Sequence, residues 1–434
     1  MKQLPVRLLL VGALAVAAAV HRGAAATPDV DAAFNAFWSA RSPQDAVKAI
    51  PEIVKSGVSV ADAVKRLKEG RVYSSSAAKG VVSSSYTAHG KEFFYSADVP
   101  ASYDPSRRYQ VRFQLHGGVS RDSNRPRGDG SIGALAGAEQ IYILPTGWVD
   151  AMWWNPSQIE NLRTILDAVK RTYNVDENRV VVSGVSDGGT GAYYVAMKDT
   201  TPYASFLPLN GSIMVLRSED LAVGDVFPTN LRNKPFFVVN GGRDPLYPTS
   251  YVGPIVEHLK DKGVEVVYKP QPNGVHNTAW WPDVKETYEA FVRNHPRNPL
   301  PDRLTWETNG AAIDNRAHWL VIDRLASKRN EPELDDVNLV TDVGPLMFDN
   351  THPSGRVDLV RTGNTVTAAT RRVAEFTLLI SPEAFDIGQS IKVVANGRTV
   401  FDGRVEPSLP TLLKWAARDN DRTMLFTAEL RIKL

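Results

Sequence analysis

The spacing of apolar positions changes character three times along the chain. Phe34, Phe37 and Trp38 recur at helical spacing, as do Ala46, Ile50 and Ile53, and then Val60, Val64 and Leu67. This is the period of helices that bury one apolar stripe. Ser56-Gly57 separates two of these pieces, and Ser59 is placed to cap the one that follows. Residues 29–71 therefore read as a small helical prelude, expected to pack on the main domain.

From about residue 82 short apolar runs alternate with helical segments. Strands are expected at 109–115, 141–144, 180–185, 236–239 and 264–268. Helices are expected between them at 158–173, 190–197 and 251–262, with a closing helix at 284–294. Such alternation predicts a mostly parallel sheet covered on both faces. The earlier run 92–99 is expected as an antiparallel edge strand. His295-Pro296-Arg297-Asn298-Pro299-Leu300-Pro301 cannot continue a helix and reads as a linker.

Beyond the linker the pattern is mainly strand-like, at 304–308, 318–322, 357–360, 365–370, 376–380, 391–394 and 425–432. Asn396-Gly397 is a strong hairpin signal, and 412–417 is the one clear helix. A β-rich module in the form of a sandwich is expected from residue 302. The organisation is thus 1–26, 27–80, 81–296 and 302–434: leader, helical segment, α/β domain and β-rich module.

The leader reading rests on Lys2 and Arg7 ahead of an apolar run over 8–20, with Ala24-Ala25-Ala26 as the cleavage signal. The run is short for a membrane span. Export to the periplasm or the exterior is therefore expected, without a membrane anchor after cleavage. The chain has 434 residues, 43% hydrophobic and 23% charged, and a formal charge of +2. That near-neutral balance gives no footing for nucleic acid. It contains no cysteine, which excludes disulfides, a thiol nucleophile and thiolate metal sites.

The chemistry is concentrated at Gly184-Val185-Ser186-Asp187-Gly188, a G-x-S-x-G sequence directly after a β-branched strand and before a helix. A strained strand-to-helix turn needs small flanking residues, and it lifts the serine above the strand ends. A serine hydroxyl needs a base. Only His276 follows the last expected strand of the α/β domain, in the loop 270–276. The base needs a carboxylate partner, and Asp244 follows the strand 236–239, with Asp220 and Asp225 as alternatives. Donors for an oxyanion are expected from the Asp187 amide and from the turn Leu115-His116-Gly117-Gly118-Val119. Within that turn Gly118 is the first choice and Val119 the alternative, while His116 reads as structural.

These features resemble the α/β-hydrolase superfamily, over roughly residues 85–295. Tyr173-Asn-Val-Asp176-Glu-Asn178-Arg179 before Val-Val-Val-Ser-Gly is similar to polyhydroxybutyrate-depolymerase-like and feruloyl- or acetylxylan-esterase-like enzymes. Asp187-Gly188-Gly189 also resembles prolyl-oligopeptidase-type hydrolases. The resemblance implies a doubly wound, mostly parallel sheet and hydrolysis of a small-molecule or carbohydrate-linked carboxylic ester through an acyl-enzyme. A prolyl-oligopeptidase-like peptidase and a non-catalytic binding protein on the same fold are the competing readings.

Substrate contacts are expected from Trp148, Trp154 and Trp280, which flank the strand ends together with Trp153 and Trp281. Core packing is the alternative for each. Arg121, Arg125 and Arg127 read as solvated loop charges. Gly128-Asp-Gly130-Ser-Ile-Gly133 matches G-x-G-x-x-G, but no strand leads into it, so it reads as a mobile loop. No phosphate-binding loop or paired-histidine zinc motif occurs, and neither cofactor nor metal is expected.

Overall fold

The computed structural model describes residues 29–126, 128–217, 226–310, 314–327, 334–335, 339–341, 344–346 and 353–434. The expected leader, Arg127, Asp220 and Asp225 lie outside these residues.

An eight-stranded sheet organises the centre of the chain. Its strands are β1 (Gly80–Ala88), β2 (Lys91–Val99), β3 (Tyr109–Leu115), β4 (Ile141–Pro145), β5 (Val175–Val185), β6 (Ser205–Leu209), β7 (Phe236–Val238) and β8 (Val266–Tyr268). They lie in the order β1-β2-β4-β3-β5-β6-β7-β8. β1 and β2 are antiparallel and β2 meets β4 antiparallel, while β4 through β8 run parallel. The mostly parallel sheet expected from the alternation is therefore present, with two departures. The run at 92–99 is not the edge, because β1 lies outside it. β6 is an additional central strand that the sequence concealed: Pro208 lies inside Ser-Phe-Leu-Pro-Leu, and proline argues against a central strand. Pro208 sits near the strand's end, where its carbonyl still accepts from Val239 N–H at 3.1 Å.

Alternating side chains on β5 serve both faces. Val180 and Val182 join one core with α4 (Pro156–Thr172), α5 (Asp187–Lys198) and α6 (Thr249–Asp261). Val181 joins the opposite core with α7 (Trp281–Asn294), through Val284, Tyr288 and Phe291. This two-sided burial explains why the parallel strands read as unbroken apolar runs.

We number the three preceding helices α1 (Val30–Ser39), α2 (Pro43–Lys55) and α3 (Val60–Glu69). Their N-caps Asp29, Ser42 and Ser59 each accept a backbone N–H of the first turn. Arg171 of α4 donates to the Ala40 carbonyl at the end of α1, but the apolar stripes of these helices do not enter the α/β core. Phe34, Phe37, Ile53 and Leu67 instead share a cluster with Leu412, Leu413 and Ala416 of α8 (Leu409–Asp419). The apolar stripe was legible, but its partner lies some 350 residues away in sequence, beyond what a local period can specify.

The C-terminal residues form a four-stranded and a five-stranded sheet that share one core around Trp306, Trp319 and Phe376. The Asn396-Gly397 hairpin joins Ile391–Ala395 to Arg398–Gly403, with both turn residues at positive φ. The expected linker is not a free tether. Arg297 within it is buried and donates to Asp421, Asn178, Thr423 and the Thr201 carbonyl. Arg422 reaches back to Glu177 and Asn174, and Lys198 pairs with Asp314 at 2.9 Å. Charged groups thus join the β-rich module to the α/β core at buried positions, where each needs its partner.

Burial alone would raise the Asp421 carboxyl. The Arg297 and Lys170 charges and the Thr423 N–H outweigh it and hold that carboxyl below the ordinary range. A group depressed on folding stabilises the native state above its unfolded pKa and loses that contribution on acidification. The junction is therefore expected to hold fully above pH ~4 and to weaken below it. Arg297→Met leaves Asp421 buried without its closest cation and is expected to cost about 3–5 kcal/mol by urea denaturation at pH 7. Most of that cost should return when Asp421 is replaced by Leu in the same chain.

Candidate active site

The turn between β5 and α5 brings backbone against backbone with no room for a side chain. A Cβ on Gly184 would sit 2.0 Å from the Gly188 carbonyl oxygen, and one on Gly188 would sit 2.2 Å from that of Leu115. Both are far inside contact distance, so only glycine fits. Ser186 between them has φ 56°, a left-handed conformation that a side chain adopts only under local constraint. Serine is a favoured helix N-cap, yet Ser186 makes no side-chain cap to α5. Its Oγ lies instead 2.8 Å from His276 Nε2.

His276 Nδ1 lies 2.7 Å from Asp244 Oδ2. The other oxygen of Asp244 accepts the Leu246 and Tyr247 N–H groups at 2.8 and 3.0 Å. The carboxylate is buried, and the imidazole is 23% exposed, open enough to exchange protons with a bound molecule. An ionised carboxylate is acceptor-only, so it draws the ring hydrogen to Nδ1 and leaves Nε2 to accept from the serine hydroxyl.

Both loops are fixed to each other. Gly242 N–H donates to the Gln271 carbonyl at 2.7 Å, Gln271 N–H to that of Asn240 at 2.9 Å, and Arg243 N–H to that of Gly274 at 2.9 Å. Asn210, just beyond β6, donates its amide to the Asn277 carbonyl at 2.7 Å. Three strand ends thereby hold Ser186, Asp244 and His276 in one hydrogen-bonded series.

The turn after β3 lies directly against the serine. A Cβ on Gly117 would come 2.9 Å from Ser186 Cβ. Gly118 has φ 65°, and the Val119 N–H donates to Asp187 Oδ2 at 2.9 Å. Val119, the alternative oxyanion donor, is thus engaged in tying this turn to the start of α5. His116 is structural in the expected sense: its Nδ1 lies 2.9 Å from the Gly117 carbonyl, and its Nε2 accepts the Gly147 N–H at 3.0 Å.

The tryptophans do not line the cavity beside Ser186, although Trp280 lines a second cavity with residues 271–279 of the loop that carries His276. Trp148 packs edge-on to Phe93, Trp154 belongs to the main core, and Trp280 packs beneath α7; all three are buried. Trp153 donates to the His116 carbonyl and supports the turn from below. Large apolar rings gain most from full burial, which here exceeds any gain from standing in a cleft.

The space beside Ser186 is instead a cavity of about 320 Å³, over the α7 side of the sheet. Its rim is Thr146, His116 and Val185, and its floor carries Ser96, Leu144 and Gln114. Pro126, Gly130, Ile132 and Leu135 close it from outside. The glycine-containing loop at 128–133, read as merely mobile, is thus a wall. Gly130 accepts from Ser96 Oγ at 2.6 Å, and Ile132 N–H donates to Asp98 at 3.0 Å. Its sequence signal was the pairing of glycines with Ile132 and Leu135, apolar residues that a solvated loop does not need. Among the described residues, no group of three or more histidine, aspartate or glutamate side chains is placed to hold a metal ion.

A sheet of this order, with a strained serine between β5 and its following helix, defines the α/β-hydrolase fold. No family model matches the chain. The bifunctional acetylxylan esterase/xylanase XynS20E of Neocallimastix patriciarum is 25% identical over 154 residues, covering 34% of this chain and 21% of that protein. The chain thus spans about one fifth of that relative's length. A thermostable esterase aligns with 50% of this chain and 63% of its own at 21% identity, with a TM-score of 0.41. A ferulic acid esterase aligns over 49% and 98% at 16% identity, with a TM-score of 0.40. Thermogutta terrifontis esterase 2 phosphorylated by paraoxon aligns over 50% and 94% at 17% identity, with a TM-score of 0.41.

Gly188→Ala forces a methyl group into the Leu115 carbonyl and is expected to destabilise the fold by about 3 kcal/mol or more. Denaturant unfolding checks this; an unchanged midpoint would show that the turn has room to relax.

Proposed function

We propose that the chain is an exported serine esterase, with Ser186 as nucleophile, His276 as general base and acid, and Asp244 as the residue that orients and stabilises the imidazole. One observation carries the reading: the continuous series from Ser186 Oγ through His276 to buried Asp244, at 2.8 and 2.7 Å. Each member sits at the end of a different strand, so the series is not a local accident of one loop.

In the first step His276 Nε2 takes the hydroxyl proton as Ser186 Oγ bonds to the ester carbonyl carbon. The developing oxyanion is stabilised by the backbone N–H groups of Asp187, at the start of α5, and Gly118. The alcohol leaves with the proton from His276, and the acyl group remains on Ser186. Water then attacks the acyl-enzyme, giving its proton to His276, and the carboxylic acid departs as Ser186 regains its hydrogen.

Ester rather than amide hydrolysis is supported by the acetylxylan esterase named in the relative above. A small-molecule or carbohydrate-linked ester fits this reading. Among the described residues no helix is long and apolar enough to cross a membrane. The amino-terminal pattern of positive, apolar and small residues supports removal of residues 1–26 on export.

Turnover of an aryl acetate and of the matching anilide separates esterase from peptidase action. The ester is expected to be hydrolysed and the amide left essentially intact; the reverse preference would favour a peptidase. Asp244→Asn is expected to lower kcat by roughly 10³–10⁴-fold with an intact fold, because the asparagine amide imposes the wrong imidazole tautomer. A loss below tenfold would remove Asp244 from this role.

A further inference from the structure

The floor of the cavity contains a polar group that nothing in the protein satisfies. On β3, Arg112 and Gln114 point to the α7 face, while Val111, Phe113 and Leu115 enter the opposite core. Arg112 is held by its ring and charge contacts: its guanidinium lies near Tyr142, Trp281 and Tyr288, pairs with Glu289 at 3.6 Å, and donates through Nη2 to the Leu135 carbonyl. Gln114 is also buried, yet neither its Oε1 nor its Nε2 has a hydrogen-bond partner. Its neighbour across the sheet is Ser183 on β5, and Leu144 at the end of β4 lines the same cavity. Leu144 is apolar, and the Ser183 hydroxyl already donates to the Leu207 carbonyl.

A buried carboxamide without partners is costly, and an apolar residue of similar volume would stabilise this position. The cost is removed if a bound molecule supplies a group that both donates and accepts, since the amide offers two hydrogens and a carbonyl oxygen. Gln114 lies two residues below His116, so the cavity floor is roughly 7 Å beneath the rim that adjoins Ser186. The cavity is lined by residues of β2, β4, β3 and β5 and by Thr278, two residues beyond His276. Val185 and Gly117, which adjoin Ser186, belong to its lining, so an acyl group carried on Ser186 can extend into it.

The geometry points to Gln114 as the specificity-determining residue for the acyl group. It selects esters of acids whose apolar chain ends in a hydroxyl or another group that donates and accepts hydrogen bonds. This rests on the esterase reading and adds the substrate class to it. Between the rim and Gln114 the lining is mainly apolar through Val185, Ile132, Leu135 and Leu144, which suits the stem of such a chain.

The test compares two aryl esters of one alcohol, ω-hydroxyhexanoate and heptanoate, which differ only in a terminal hydroxyl against a methyl. Wild type is expected to favour the hydroxy ester about tenfold in kcat/KM. Gln114→Leu is expected to bring the ratio to one or below, and a ratio taken within one variant is independent of any general change in turnover. A wild-type ratio of one or below, or an unchanged ratio in the variant, would overturn the assignment. Binding of the two free acids, followed by calorimetry on wild type and Ser186→Ala, gives the same comparison without turnover. A hydroxy-acid preference there, with no ester hydrolysed, would retain Gln114 and reject the esterase reading. Equal binding of both acids would reject Gln114 itself.

Discussion

The close approach of Gly184, Gly188 and the Leu115 carbonyl is the constraint on which the rest of the site depends. Because no side chain fits at either glycine, α5 starts hard against the end of β5, and β3 lies immediately alongside. Ser186 is consequently held at positive φ with its hydroxyl directed away from the helix it begins. The conformation is unfavourable for serine alone and persists because strand and helix on either side are deeply buried. Local strain at this turn is thus supported by the packing of Val180, Val182, Ala192 and Val195.

Two further supports convert a projecting hydroxyl into an ordered site. Asp187 uses its side chain to hold the turn after β3, which sets Gly117 and Gly118 beside the serine. The loops after β7 and β8 are joined by backbone hydrogen bonds, so Asp244 and His276 move as one unit. A loop residue can be positioned as firmly as one on a strand when its backbone donors and acceptors are fully spent on a neighbouring loop.

Much of this was legible from residue order. The glycines around Ser186, the histidine after the final strand and the aspartate after β7 are each local signals, and the structure gathers them within hydrogen-bond distance. Features that depend on distant partners were not legible. The stripe of Phe34, Phe37 and Leu67 does not name α8 as the surface it meets, and Arg297 in a proline-rich segment does not announce Asp421. Trp148 and Trp154 misled because proximity in sequence to strand ends does not distinguish a ring facing a cleft from one beneath it. Gln114 was hidden for the opposite reason: one of three polar residues alternating along β3, it is ordinary until its partners can be counted.

The central claim is that Ser186, held at this turn and hydrogen-bonded to His276, is the nucleophile. Intact-mass spectrometry after treatment with a fluorophosphonate, followed by peptide mapping, tests it most directly. One covalent adduct is expected, located on the peptide that carries Ser186, absent in Ser186→Ala and strongly slowed in His276→Ala. An adduct that persists in Ser186→Ala, or a folded wild-type protein that takes none, would contradict the claim.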